Sequence, residues 1–187
     1  MKRAAPLVAL AVTLAMAKSA RAVDEAGPRN ALSIHPFSLT SHGLAVQYER
    51  YLKPRHLSLV LGVGVRSSSR ADYSSLLTSV GIEPRFWLAR DPTRSKRLGK
   101  DAMIGPYMSL RLDTSYLMMT DTTRDQWVGG NVGLSFVGSF GWRFAIRHLE
   151  ITPSIGVGSR TDFDAARRLA PWTRAVYRFD WTVGWLF

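Results

Sequence analysis

The chain has 187 residues, 46% of them hydrophobic, with 25 Lys and Arg against 14 Asp and Glu and no Cys. That length suits a single domain, and the lack of Cys excludes a disulfide frame, a thiolate zinc site and a Cys nucleophile. A formal charge of +11 would suit a nucleic-acid binder, but the Arg residues are spread over turns and one strand face rather than gathered into a basic patch, so no nucleic-acid partner is expected.

The chain opens with Lys2 and Arg3, an apolar run from Ala4 to Ala17, and the small-x-small site Ala20-Arg21-Ala22 before Val23. This order is that of a secretory signal peptide, and residues 1–22 are expected to be cleaved. Lys18 and Arg21 end the run short of the roughly 20 apolar residues that a membrane-spanning helix needs. The remaining segment, residues 23–187, keeps 21 basic and 14 acidic groups, a net +7.

From there the pattern has a period of two, and no helical period competes with it. A first strand is expected from about Asn30 to Leu39, turned by Ser41-His42-Gly43. A second, from Leu44 to Leu52, sets Leu44, Val46 and Tyr48 against Ala45, Gln47 and Glu49, and Lys53-Pro54-Arg55-His56 closes it. The third alternates Leu57, Leu59, Leu61, Val63 and Val65 with Ser58, Val60, Gly62, Gly64 and Arg66, followed by a polar loop from Ser67 to Ser74. The fourth, Ser75 to Leu88, carries Val80, Ile82, Phe86 and Leu88 on one face and Glu83, Arg85 and Trp87 on the other, with a break or bulge expected at Pro84.

A basic connection from Arg90 to Lys100 leads to a fifth strand, Ala102 to Thr114, with Ile104, Pro106, Met108, Leu110 and Leu112 outward and Tyr107, Ser109, Arg111 and Asp113 inward. A loop is expected from Ser115 to Gln126, a sixth strand from Trp127 to Phe144, and a turn at Ile146-Arg147-His148. The seventh strand runs from Leu149 to Ser159 with Glu150 on its polar face, and a long loop spans Arg160 to Thr173. The last strand alternates Ala175, Tyr177, Phe179, Trp181, Val183, Trp185 and Phe187 with Arg174, Val176, Arg178, Asp180, Thr182, Gly184 and Leu186.

Aromatics outward and mid-strand charges inward describe an all-β, eight-stranded antiparallel up-and-down transmembrane β-barrel. With the C-terminus on the periplasmic side, three of the four outer loops are long and two of the three inner turns are short, as such barrels prefer. Parity then puts Glu49, Glu83, Arg85, Arg111, Asp113, Glu150, Arg178 and Asp180 in the lumen, and Arg66, Arg143 and Arg174 near the rims. Charges buried in so narrow a ring persist by pairing, so the expectation is an internal salt-bridge network. Trp127, Trp142, Trp172, Trp181, Trp185, Tyr48, Tyr177 and Phe187 are expected mostly at the ends of the apolar band. Arg167, Arg168, Trp172 and Arg174 are candidates for contact with lipopolysaccharide in the last outer loop.

His35, His42, His56 and His148 share no metal-ligand spacing and are read as surface or rim histidines. No catalytic, metal or cofactor site is expected: a hydrolase would need Ser, His and a carboxylate to converge at the outer leaflet, and His148-Leu149-Glu150 lacks the His-x-Ser order of lipid A deacylase barrels.

Leu32-Ser33-Ile34-His35-Pro36, Tyr48-Glu49-Arg50-Tyr51-Leu52, Gly62-Val63-Gly64, Gly141-Trp142-Arg143-Phe144 and the stretch from Ile151 to Gly158 resemble the small bacterial outer-membrane barrels that include the OmpA membrane domain, OmpX and OmpW. The resemblance implies residence in the outer membrane of a Gram-negative bacterium. It also implies that Trp185 and Phe187 form a terminal signal read by the barrel-assembly machinery, and that the protein is a monomer among outer-membrane lipids. It carries a structural or surface-interaction role and no enzymatic assignment. Two alternatives remain: a narrow gated pore for ions or small solutes, and a soluble periplasmic lipocalin-like barrel with its apolar face inside.

Overall fold

The computed structural model describes residues 30–36, 43–52, 56–70, 72–88, 104–124, 126–164 and 171–187. The expected signal peptide, Leu39, His42, the whole basic connection from Arg90 to Lys100 and both Arg167 and Arg168 lie outside them. Eight strands follow one another: β1 (Asn30–Ile34), β2 (Gly43–Leu52), β3 (Leu57–Ser69), β4 (Tyr73–Trp87), β5 (Gly105–Asp121), β6 (Gln126–Ile146), β7 (Leu149–Asp164) and β8 (Trp172–Leu186). Each pairs antiparallel with its neighbour in sequence, and β1 pairs with β8 from Ala31 opposite Leu186 to Ile34 opposite Val183, which closes the ring. Reciprocal backbone bonds of 2.9 Å between Asn30 and Phe187 extend that seam to the end of the chain.

Closure matters because it leaves no edge strand and lets backbone donors and acceptors meet around the ring. Connections alternate between the two ends. At one end lie His56 and the two-residue turn Arg147-His148, with His56 and Arg147 in the left-handed region at φ 50° and 56°. At the other end β3 to β8 continue as long hairpins. The segments expected as loops at 67–74, 115–126 and 160–173 are strand to Ser69 and from Tyr73, strand to Asp121, strand to Asp164 and strand from Trp172. In Ser67–Ser69 successive side chains are all small, polar and exposed, so alternation is lost while the backbone ladder continues.

Prolines mark two gaps in that ladder. Pro84 pairs with Leu59 of β3, but the β4–β5 register skips from Ile82 opposite Leu112 to Arg85 opposite Ser109. Pro153 pairs with Trp181 of β8, and the β6–β7 register skips from Gly141 opposite Ser154 to Phe144 opposite Ile151. Each proline lacks the donor its neighbour would have used. The expected break at Pro84 is therefore a local gap with the register kept and no bulge; the register shift falls instead between Met119 and Thr120 of β5.

The interior is mainly polar. Among the described residues the buried hydrophobics are Ala31, Tyr51, Val60, Trp87, Ile104, Tyr107, Val137, Ala145 and Leu186. Seven of them form two clusters, Ala31, Ile104, Ala145 and Leu186 at the short-turn end and Tyr51, Trp87 and Tyr107. Ile104 was expected to face outward with Met108 and is instead 3% exposed in the first cluster. The reason is Gly105, whose φ of 114° breaks the strand geometry and turns Ile104 inward. Outward positions of every strand carry exposed apolar groups, among them Leu61, Val80, Ile82, Met108, Phe136, Ile155 and Phe179.

Candidate functional site

The candidate site is the lumen, where parity alone collects the charge. Odd positions of β1, β2, β5 and β6 near mid-barrel point inward, as do the even positions of β3, β7 and β8 and the odd positions of β4. Small inward residues make room for long ones. A Cβ on Gly133 would lie 2.7 Å from the Arg160 Cζ, and one on Gly62 would lie 3.4 Å from an Arg111 nitrogen.

Glu49 is the hub. Its Oε2 accepts from Arg85 Nη1 at 2.8 Å and from Arg143 Nη2, while Oε1 accepts from the Ser58 hydroxyl. From Arg85 the chain of ion pairs runs to Glu83 at 2.7 Å, from Glu83 to Arg111 at 3.4 Å, and from Arg111 to Asp113 at 2.7 Å. Asp113 meets Arg178 at 3.3 Å, Arg178 pairs with Asp180, and Asp180 lies 3.6 Å from His35 Nδ1. On the other side of the hub Arg143 Nε lies 2.8 Å from Glu150 Oε2. That ion pair ties Glu150 to the series. Acid and base alternate along the whole series, so every charge has an opposite neighbour.

Aromatic rings insulate the hub. The Arg85 guanidinium sits 4.8 Å from the Tyr107 ring centroid and that of Arg143 4.8 Å from Trp87. Trp87 and Tyr107 touch with centroids 5.2 Å apart, and the Trp87 indole N–H donates to Ser58 at 3.0 Å. Cations over ring faces gain attraction while being kept from water. A second, smaller cluster lies nearer the long-hairpin end. Arg160 donates to Asp162 at 2.7 Å and to Ser115 at 2.9 Å, and Arg174 lies 3.5 Å from Asp162.

All eight sequence-derived lumen charges are in this series. Two members were placed elsewhere. Arg143, expected near a rim, is 3% exposed at the centre, because β6 continues to Ile146. His35, read as a rim residue, is 8% exposed and faces Asp180; the parity of Ala31 and Ser33 carried that signal. Of the outer-loop candidates, Trp172 and Arg174 are on β8, Trp172 opposite Asp162, and Arg174 remains 61% exposed. Trp185 stacks on His148 with centroids 5.3 Å apart, and His148 Nδ1 lies 2.9 Å from the Leu186 carbonyl oxygen.

The lumen has little free space. The void bordered by His35, Glu83, Arg85, Tyr107, Arg178, Asp180 and Thr182 measures about 10 Å³, room for a single water. Such an arrangement can hold charges in fixed order and fill a ring. Among the described residues no group of three or more His, Asp and Glu is disposed to hold a metal ion. Comparison with protein-family models, with curated proteins and with solved structures finds no match to this chain.

Proposed function

We propose that this protein is an integral barrel of the Gram-negative outer membrane, a closed structural or surface-interaction element whose lumen is sealed by its ion-pair series. The observation that carries this reading is the inverted distribution of polarity. Glu49, Glu83, Arg85, Arg143 and Glu150 are buried inside the ring, while Val80, Phe136, Ile155, Tyr177 and Phe179 are exposed outside it. In water this arrangement would expose apolar surface all round the ring; in hydrocarbon it is the favourable one. A soluble lipid-binding calyx has the opposite arrangement.

Dimensions agree. The 21 residues of β6 span about 70 Å at roughly 3.4 Å per residue, and a tilt of about 40° leaves a rise of about 50 Å. That is about twice the apolar band of roughly 25 Å, so the long hairpins would stand in the polar region outside. Trp142, Phe144 and Trp185 cluster outward near the Arg147-His148 turn, where amphipathic rings suit a membrane boundary. The positive charge of the chain would suit the anionic lipopolysaccharide layer.

The test is electrophoresis of protein from isolated outer membranes, with and without boiling, together with flotation on phospholipid vesicles. The reading expects a compact unboiled species that shifts on boiling and floats with the vesicles. Release as a soluble periplasmic species with no shift would overturn it. Planar-bilayer recording separates the sealed element from the gated pore: the ion-pair series predicts no conductance, whereas steps of current that change in Glu83→Ala or Arg111→Ala would establish the pore.

A further inference from the structure

The outer wall of β3, β4 and β5 changes chemistry in ordered rows. Cross-strand register places Leu61, Ile82 and Leu112 in one outward row, then Val63, Val80 and Thr114, then Val65, Thr78 and Tyr116. The next row is Ser67, Leu76 and Met118, and the last is Ser69, Ser74 and Thr120, three hydroxyls side by side. The last two rows, together with the neighbouring pair Ser68 and Ser75, line a groove of about 570 Å³, within the size range of small-molecule sites. The hydroxyl row stops at β5: Thr120 pairs with Trp127 of β6, an exposed aromatic. The hydroxyl row is therefore a local patch and not a general rim.

We propose that this wall binds a membrane glycolipid, with acyl chains along the Leu61 and Val63 rows and an uncharged sugar in the groove; the inference rests on the membrane reading above. Hydroxyl side chains both donate and accept, as sugar hydroxyls do, and Leu76 with Met118 offers an apolar surface to the C–H face of a sugar ring. Among the described residues no Lys or Arg lines the groove, which disfavours a phosphate as the recognised group. Apolar rows continue directly below it, which favours a sugar already attached to acyl chains over a free saccharide.

The experiment refolds the protein into phosphatidylethanolamine and phosphatidylglycerol vesicles containing a minor fraction of monoglucosyl diacylglycerol. Retained lipids are counted by native mass spectrometry after detergent extraction. The wild type is expected to retain the glucosyl lipid in preference to both phospholipids. S69A/S74A/T120V should reduce that preference about tenfold, as loss of one to two net hydrogen bonds implies. Thr161→Val with Thr173→Val, which removes a hydroxyl pair from β7 and β8, should leave it unchanged. A boiling-dependent gel shift verifies folding of each variant, and S69A/S74A serves if the triple variant does not fold. Absence of preference in the wild type, or its survival in the folded serine variants, overturns the inference while leaving the membrane reading intact. Failure of the wild type to float with the vesicles overturns both.

Discussion

At the scale of single residues, Glu49 and Arg174 represent two kinds of charge. Glu49 accepts from two guanidiniums and a hydroxyl inside the ring, so Glu49→Gln would leave Arg85 and Arg143 facing each other across a neutral amide. Removing one member of a buried pair costs about 3–5 kcal/mol, and urea unfolding in detergent micelles should register that loss. Arg174 meets Asp162 at 3.5 Å with 61% of its side chain exposed. Arg174→Ala should change stability by less than about 1 kcal/mol in the same titration. The sequence made the eight lumen charges legible because each sits opposite a large apolar neighbour on a strand with a clear period. Arg143 is hard to place from sequence because depth depends on where a strand ends, and β6 runs past Phe144 to Ile146. His35 was missed because a single histidine beside Pro36 carries no periodic signal of its own.

At the scale of elements, the apolar belts were legible and the hairpins beyond them were not. Alternation reports a contrast between two environments, and it fades where the side chains of Ser67–Ser69 are all small, polar and exposed. The backbone pairing that continues there, as between Ser69 and Ser74 or Asp121 and Gln126, depends on no side-chain pattern. Asp121 helps to end its hairpin, its Oδ1 accepting from the Thr123 and Arg124 amides at 2.8 and 3.2 Å. The start of β5 was also hidden, since Gly105 looks like any small lumen residue until its φ of 114° is seen. Gly105→Ala should cost about 1–3 kcal/mol, the range for a non-glycine residue held in such a conformation. The same variant should loosen the Ala31, Ile104, Ala145 and Leu186 cluster, a change that amide hydrogen exchange at Leu186 would detect.

At the scale of the molecule, the number of strands and their direction follow from counting alternating segments and turns, and mid-strand charges on one face imply closure, whereas the residue pairs of the seam do not follow. The β1–β8 seam joins residues 149 to 155 positions apart, and no local pattern marks them as partners. What the ring does to polarity can be tested from both sides. On the membrane reading, Ile82→Arg places a cation on the lipid face and should cost about 2–4 kcal/mol in vesicles if Ile82 lies near the bilayer midplane. The same change on a water-facing surface would cost little, so the measured loss separates the two settings.

The three strand prolines, Pro84, Pro106 and Pro153, have a consequence before the ring exists. A chain with so many alternating apolar segments can stack with other copies while still unfolded, since sheet growth from one molecule to the next uses the same backbone donors as the native ladder. Prolines remove a donor from each of β4, β5 and β7, and native pairing tolerates the two gaps at Pro84 and Pro153 because the flanking register is fixed on both sides. An aggregate has no such flanking support. The interruptions that cost the finished ring a few bonds thus act as chain-borne safeguards during the interval between synthesis and closure.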